Sequence, residues 1–336
     1  MSLLFMDSFD HYATADINKK WDTVSGSPAI NASGGRNSGG AIEFDAAEYV
    51  EKTIPGNPAT IIVAGAFKVS SLSVSQDIIK LMDSTSVQVK IRIRTDGKIE
   101  AFRDTTSLGV SSGVVFTAGA FAHLDCKITI NDASGTVLVK SGGTTHLNLT
   151  SQDTKTTANA YVTSVRVGGD GTNTVTVDDF YILDTTGSAP QNDQLGDCRI
   201  SVARPTAEGT YSQFTPSAGT DNSQNVDDTT PDGDGTYNSS GNVGDRDSFG
   251  MGAMTDIGGA AIYGVQLNMV ARKDASGTRK VRGFTRPVGT NYFGTSQSLT
   301  TSYLNYREIW QTNPETAAQW AEAEVNLSQF GVEVAS

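Results

Sequence analysis

The run Val87-Gln-Val-Lys-Ile-Arg-Ile-Arg94 constrains this chain more than any other feature. Apolar residues fall at every second position (Val87, Val89, Ile91, Ile93), with Gln88, Lys90, Arg92 and Arg94 between them. Successive side chains of a strand point to opposite faces, so this period puts one face in a core and the other in water. Runs of similar character recur at 41–44, 49–54, 60–69, 77–82, 99–104, 122–130, 136–140, 162–167 and 174–183. Many short strand signals, with no helical stripe longer than about three turns, predict an all-β chain built from antiparallel sheets. Thr95-Asp-Gly-Lys98 reads as a hairpin turn, since Gly97 adopts positive φ without steric cost. Asp132-Ala-Ser-Gly135 reads the same way.

At 336 residues the chain is long enough for two ordinary domains. Residues 184–197 (DTTGSAPQNDQLGD) are polar and unpatterned, which predicts a first β-sandwich over 1–187, a linker over 188–197 and a second β-rich, sandwich-like domain over 198–336. A cut within Ser188–Leu195 is expected to release a first half that folds alone. In the second domain, strands are expected at 198–203, 258–272, 279–287, 302–311 and 331–334. Residues 206–247, rich in Gly, Ser, Thr, Asn and Asp, read as a long surface loop. Asn313-Pro-Glu-Thr-Ala-Ala-Gln-Trp320 carries helix-start chemistry, an N-cap Asn followed by Pro and Glu.

Charge and cysteines narrow the function. The net charge of −12 disfavours nucleic acid, because an acidic surface repels phosphate. Two cysteines, Cys126 and Cys198, have no metal or redox spacing and read as free buried thiols. The start, Met1-Ser-Leu-Leu-Phe-Met-Asp7, lacks the basic beginning of a signal peptide, and no apolar run reaches membrane-span length. The expectation is synthesis in a cytoplasm and no membrane partner.

Gly40-Ala-Ile-Glu-Phe-Asp-Ala-Ala-Glu-Tyr-Val50 resembles a strand pattern of laminin-G-like domains. In the same order follow the 60–67 strand, the Asp96–Ile99 hairpin, Phe121-Ala-His123 and Val177-Asp-Asp-Phe-Tyr-Ile-Leu-Asp184; Phe5-Met-Asp-Ser-Phe-Asp10 is similar to a first strand of such sandwiches. The resemblance covers 1–184 and implies a jelly-roll sandwich of the concanavalin-A/laminin-G type. Leu195-Gly-Asp-Cys-Arg-Ile200, Phe214-Thr-Pro-Ser-Ala-Gly219, Tyr237-Asn-Ser-Ser240, Val243-Gly-Asp-Arg-Asp247, 313–320 and Phe330-Gly-Val332 resemble C-terminal regions of tailed-bacteriophage virion proteins. That resemblance implies a structural or decoration protein of the head or tail surface. It would be assembled in the host cytoplasm with other virion proteins and further copies of itself.

Candidate sites follow from residue chemistry. Glu43-Phe-Asp-Ala-Ala-Glu48 is similar to the E-x-D-x-x-E strand of laminarinase-type glycoside hydrolases. A Glu43/Glu48 hydrolase would need its carboxyls about 5–5.5 Å apart. Phe44 stands where that motif has a small residue, so the strand reads as structural and the chain as non-catalytic. His11, His123 and His146 follow no metal spacing, and His123 is expected at or near the surface. No cofactor is expected except calcium, for which Asp227, Asp228, Asp232 and Asp234 offer hard oxygens on a turn-rich loop, with Asp178 and Asp179 a second candidate pair. For a host-surface glycan the candidates are Tyr211, Tyr237, Tyr292 and Phe293, which would make the chain a carbohydrate-binding adhesin module.

Overall fold

The computed structural model describes residues 2–254 and 257–336. The chain divides into two compact units, Met1–Ile200 and Ser201–Ser336. Residues 188–197, expected as a linker, therefore belong to the first unit.

The first unit is an antiparallel β-sandwich. Its eight-stranded sheet runs, edge to edge, through Thr144–Gln152, Gly135–Ser141, Ala122–Thr129, Thr60–Val69, Val175–Asp184, Ala41–Phe44 and Ala29–Asn31, with Leu3–Asp7 also paired to Val175–Asp184. The seven-stranded sheet runs Thr106–Val110, Ile99–Arg103, Ser86–Ile93, Gln76–Asp83, Ser164–Gly169, Glu48–Thr53 and Thr23–Ser25. The chain crosses repeatedly between the sheets, with a meander over 76–110 in the seven-stranded sheet and one over 122–152 in the eight-stranded sheet, which gives the jelly-roll arrangement. Val89, Ile91 and Ile93 lie in the core, as their alternation requires, beside Leu124, Cys126, Ile128, Phe180 and Ile182 of the facing sheet. Gln88, expected in water, is fully buried: its Oε1 accepts from Thr156 N and its Nε2 donates to Asn159 O. Lys90 and Arg92 pair with buried Asp77 and lie over the Phe102 ring. Gly97 has φ +74°, as the hairpin requires. At 131–135 the turn is instead made by Asn131, whose Oδ1 accepts from Ala133 N and Ser134 N.

Beneath one end of the sandwich lies a buried polar knot. Asp7 accepts from Phe9 N, Tyr12 Oη, Lys20 Nζ and Trp21 Nε1 at 2.7–3.1 Å. Phe5, Phe9, Trp21 and Phe180 pack around it. Trp21 is thus a core residue whose one polar atom is satisfied.

In the second unit a six-stranded sheet runs Pro205–Ser212, Arg246–Met251, Gln329–Val334, Lys280–Arg286 and Tyr292–Phe293, with Gln297–Ser298 also on Lys280–Arg286. The antiparallel pair Val265–Ala271/Leu304–Trp310 supplies Leu267, Met269, Leu304 and Tyr306 to a small core against Val281 and Val332. Three expectations are corrected here. Residues 198–203 form no strand; the strand begins at Pro205. The expected surface loop 206–247 opens with that edge strand. The rest is anchored by fully buried Asp247, which accepts from Gln213 N, Phe214 N and Asn222 Nδ2. Residues 313–320 make a turn, with Ala317 at φ +55°, and the helix starts later, at Glu322–Leu327. Asn313 still caps, accepting from Glu315 N, but Trp320 buries itself and donates to Trp310 O, which ends the turn before a helix can propagate.

Candidate functional site

On the outer face of the eight-stranded sheet, residues 189–200 form a strap. Tyr181 Oη donates to Gly196 O, Gly196 N donates to Asp125 Oδ2, and Gln194 Nε2 donates to Asp125 O. The strap's far end is pinned by Arg36, which binds Asp179, Asp197 and Cys198 O, and by Ile200 N donating to Asp179 Oδ1. A register irregularity between Asp178 and Tyr181, with Asp179 at φ +51°, turns both acids out of the central strand toward Arg36. Strand alternation explains the rest: Leu124 and Cys126 point to the core, so His123 and Asp125 point outward, under the strap. His123, expected near the surface, is 5% exposed. Both cysteines are free; Cys126 is buried and Cys198 half-buried, its thiol pushed up to about 11 by burial.

Burial moves three ionisations, two under the strap and one, Asp178, beside Arg36. Desolvation raises Asp125 to about 6 and, with the neighbouring Asp179 charge, raises Asp178 to about 7. Desolvation also lowers His123 to about 4, Arg36 assisting and Asp197 opposing. The signs are separable. The two carboxyls take up protons in the folded unit before they do so in the unfolded chain, so their contribution to stability grows as pH falls through 7 and 6 toward the ordinary Asp value of 3.8. His123 acts oppositely: its contribution is lost as pH falls from 6.5 toward 4. Two carboxyls outweigh one imidazole, so between about pH 6 and 5 the folded unit holds about one more proton at these groups than the unfolded chain; below that the lowered carboxyls of Asp7, Asp22, Asp77 and Asp193 act the other way. Its stability should rise by on the order of 1 kcal/mol per pH unit of acidification in that window. Scanning calorimetry at constant ionic strength checks this; a midpoint that falls steadily from pH 6 to 5 contradicts it.

In the second unit, Arg282, Phe284 and Arg286 share one face of their strand by alternation. Phe284 is fully buried and lies against Gly331, where a Cβ would sit 2.7 Å from its ring. Tyr211 and Phe293 flank it, with ring centroids 6.1 and 5.4 Å from Phe284. Arg246 stands over both flanking rings (5.3 and 5.0 Å), Arg282 over Phe293 (4.0 Å) and Arg286 over Tyr211 (5.7 Å). Buried Glu333 holds Arg246 and Arg282, and Asn291 links Arg286 to the Tyr211 hydroxyl. The result is a half-buried aromatic pair ringed by three guanidinium groups and one carboxylate. Those groups can stack on a ring and donate several fixed hydrogen bonds.

The structure therefore unites two of the four glycan candidates, Tyr211 and Phe293. Tyr292 turns away and donates to Glu315; Tyr237 is exposed elsewhere on the unit. Sequence reading missed Arg246, Arg282 and Arg286, although the Arg-x-Phe-x-Arg alternation at 282–286 was the available signal. The calcium candidates are not gathered. Asp234 accepts from Arg272 and Tyr303, Asp228 and Asp232 accept from Thr236, and Asp178 and Asp179 face Arg36. Among the described residues, no group of three or more His, Cys, Asp or Glu is placed to hold a metal ion. Glu43 and Glu48 lie on strands of different sheets, so the hydrolase-like motif does not form one strand. Glu43 accepts from Asn31, and Glu48 caps Ser27 N and Asp45 N.

No protein-family model matches the chain, and no curated protein matches it in sequence. Solved structures similar in fold include a sialidase (10% identity, TM-score 0.40, covering 56% of this chain and 19% of the sialidase). Another is the alginate lyase Aly36B (12%, TM-score 0.37, 54% of this chain and 96% of the lyase). A third is a galectin of Caenorhabditis elegans, LEC-6 (13%, TM-score 0.30, 42% of this chain and 94% of the galectin). These likenesses are of fold alone. They correct one expectation, that of a non-catalytic chain: enzymes stand among the structures it resembles, so that reading is withdrawn.

Proposed function

We propose that this chain is a structural protein on the surface of a tailed-phage virion, and that its second unit engages host-surface saccharide through the Tyr211–Phe293 face. The observation that carries the saccharide reading is the convergence of Tyr211, Phe293, Arg246, Arg282 and Arg286 on one face of the six-stranded sheet. Aromatic rings with a few fixed polar donors are the usual lining of a small-molecule site. The virion reading is supported by the order of motifs in 1–184 and 195–332 and by an acidic, strand-rich composition. Other virion proteins and further copies of the chain would be its assembly partners.

Binding of the full chain to immobilised host-surface polysaccharide tests the saccharide reading. Phe293→Ala and Arg282→Ala should each weaken binding at least tenfold, about 1.4 kcal/mol. Tyr237→Ala should leave it unchanged. Equal binding by all three variants would remove this face from the proposal. Cryo-electron microscopy of purified particles tests the virion role: two β-rich lobes per copy on the head or tail surface are expected, and absence of the chain from the particle overturns it.

A further inference from the structure

Between the strap and the outer face of the first unit lies a cavity of about 180 Å³, lined among others by His123, Asp125, Lys140, Ser141, Gln194 and Asp197. Asp125 and His123 are 1% and 5% exposed. Asp125 spends Oδ2 on Gly196 N, and Gln194 spends Nε2 on Asp125 O. Their other polar atoms, Asp125 Oδ1 and Gln194 Oε1, are buried with no hydrogen-bond partner in the chain, and so is His123 Nε2. Leaving a buried polar atom unmet costs about 1–3 kcal/mol, and three around one small cavity is an unusual concentration.

We propose that this cavity is a binding site for a neutral polyhydroxylated ligand, one sugar ring in size, separate from the aromatic face of the second unit. The argument is one of complementarity. Gln194 Oε1 can only accept, and above its pKa of about 6 so can Asp125 Oδ1, so at neutral pH the ligand must donate. Hydroxyl groups donate, and they also accept from Lys140 at the edge of the cavity. The Lys140 ammonium repels a cation, so an ammonium or guanidinium ligand fits less well. An anionic sugar would meet Asp197 and Asp125 together.

The test uses the full chain and four probes: methyl α-D-glucopyranoside and its galactose counterpart as neutral glycosides, methyl glucuronide as the anion and methylammonium as the cation. With three histidines in the chain, the His123 ring signals can be followed by ¹H–¹⁵N correlation and assigned with His123→Gln. A neutral glycoside should shift the His123 ring in a saturable way. Asp125→Asn, which keeps an acceptor for Gly196 N and turns the other atom into a donor, should weaken that binding at least tenfold while melting no lower than the parent. Ser141→Trp, at a half-buried residue of the cavity lining, should abolish it even if Asp125→Asn does not fold. The double variant Tyr211→Ala/Phe293→Ala should bind as the parent does, which separates this site from the one in the second unit. No His123 response to either glycoside up to 100-millimolar concentrations (about the weakest useful affinity), a response to methylammonium or glucuronide alone, or binding that survives Ser141→Trp would each overturn the proposal.

Discussion

Replacing Asp7 with alanine should destabilise the first unit by about 4 kcal/mol, lowering its melting midpoint by on the order of 10 °C. Asp7 is 1% exposed and takes four hydrogen bonds. Burial alone would raise its pKa. The Lys20 charge, assisted by His11 and the Tyr12 and Phe9 hydrogen bonds, outweighs that and holds the carboxyl below its ordinary value. Without it the Lys20 ammonium, 3% exposed over the Phe5 and Tyr12 rings, loses its carboxylate, and Tyr12 Oη and Trp21 Nε1 lose an acceptor inside the core. Removing one partner of a buried pair costs more than the pair contributes, because the surviving charge stays desolvated. Asp7→Asn is the informative second variant: it keeps an acceptor of similar size without the charge. An asparagine variant as stable as the parent would show that hydrogen bonding, and not ion pairing, holds the knot. An alanine variant within 1 °C of the parent (about 0.3 kcal/mol) would refute the account.

A fragment ending at residue 188 should be less stable than one ending at residue 200 by about 5 kcal/mol, from the summed loss of roughly half a dozen hydrogen bonds and ion pairs. The lost contacts include those of Tyr181, Asp125, Arg36 and Asp179 to the strap, together with Lys127 to Asp193. The polarity of 188–197 suggested that a cut there would be harmless, and the strap reverses that expectation. Chemical denaturation of both fragments measures the difference. The pH dependence supplies an independent readout. In the shorter fragment His123 and Asp125 meet water, so the His123 ring should titrate close to its ordinary 6.5, while in the longer fragment it stays near 4. Equal midpoints and equal pH profiles would mean that the strap is a passenger.

Most of the first unit was legible in the residues because its strands are amphipathic or fully apolar. Val89, Ile91 and Ile93 had to share a face, and the run 60–69 lies within one strand as expected. The weakly patterned strands Thr23–Ser25, Ala29–Asn31, Thr106–Val110 and Thr144–Gln152 were not legible, since edge strands bury little and their side chains carry little periodic signal. The second unit was harder for the same reason. Its core is small, and its order rests on polar side chains such as Asp247, whose role depends on what folds over it.

The sites divide along the same line. Sequence chemistry nominated Tyr211 and Phe293 as loop aromatics able to stack on a sugar but had no means of placing Arg246, Arg282 and Arg286 around them, because the four strands that carry these residues are brought together only by sheet order. Glu43 and Glu48 looked like a pair in the sequence and are divided between two sheets. His123 looked like a surface or half-buried residue beside a strand, and in the sheet it and Asp125 do point outward. They are buried because residues 189–200, some 70 positions later, return over them. Local alternation determined which face of each strand is apolar, since that depends only on neighbours along the chain. Which polar face stays wet, and which is sealed and given altered ionisation, was decided by the tertiary structure, because burial is a property of whatever segment arrives to cover it.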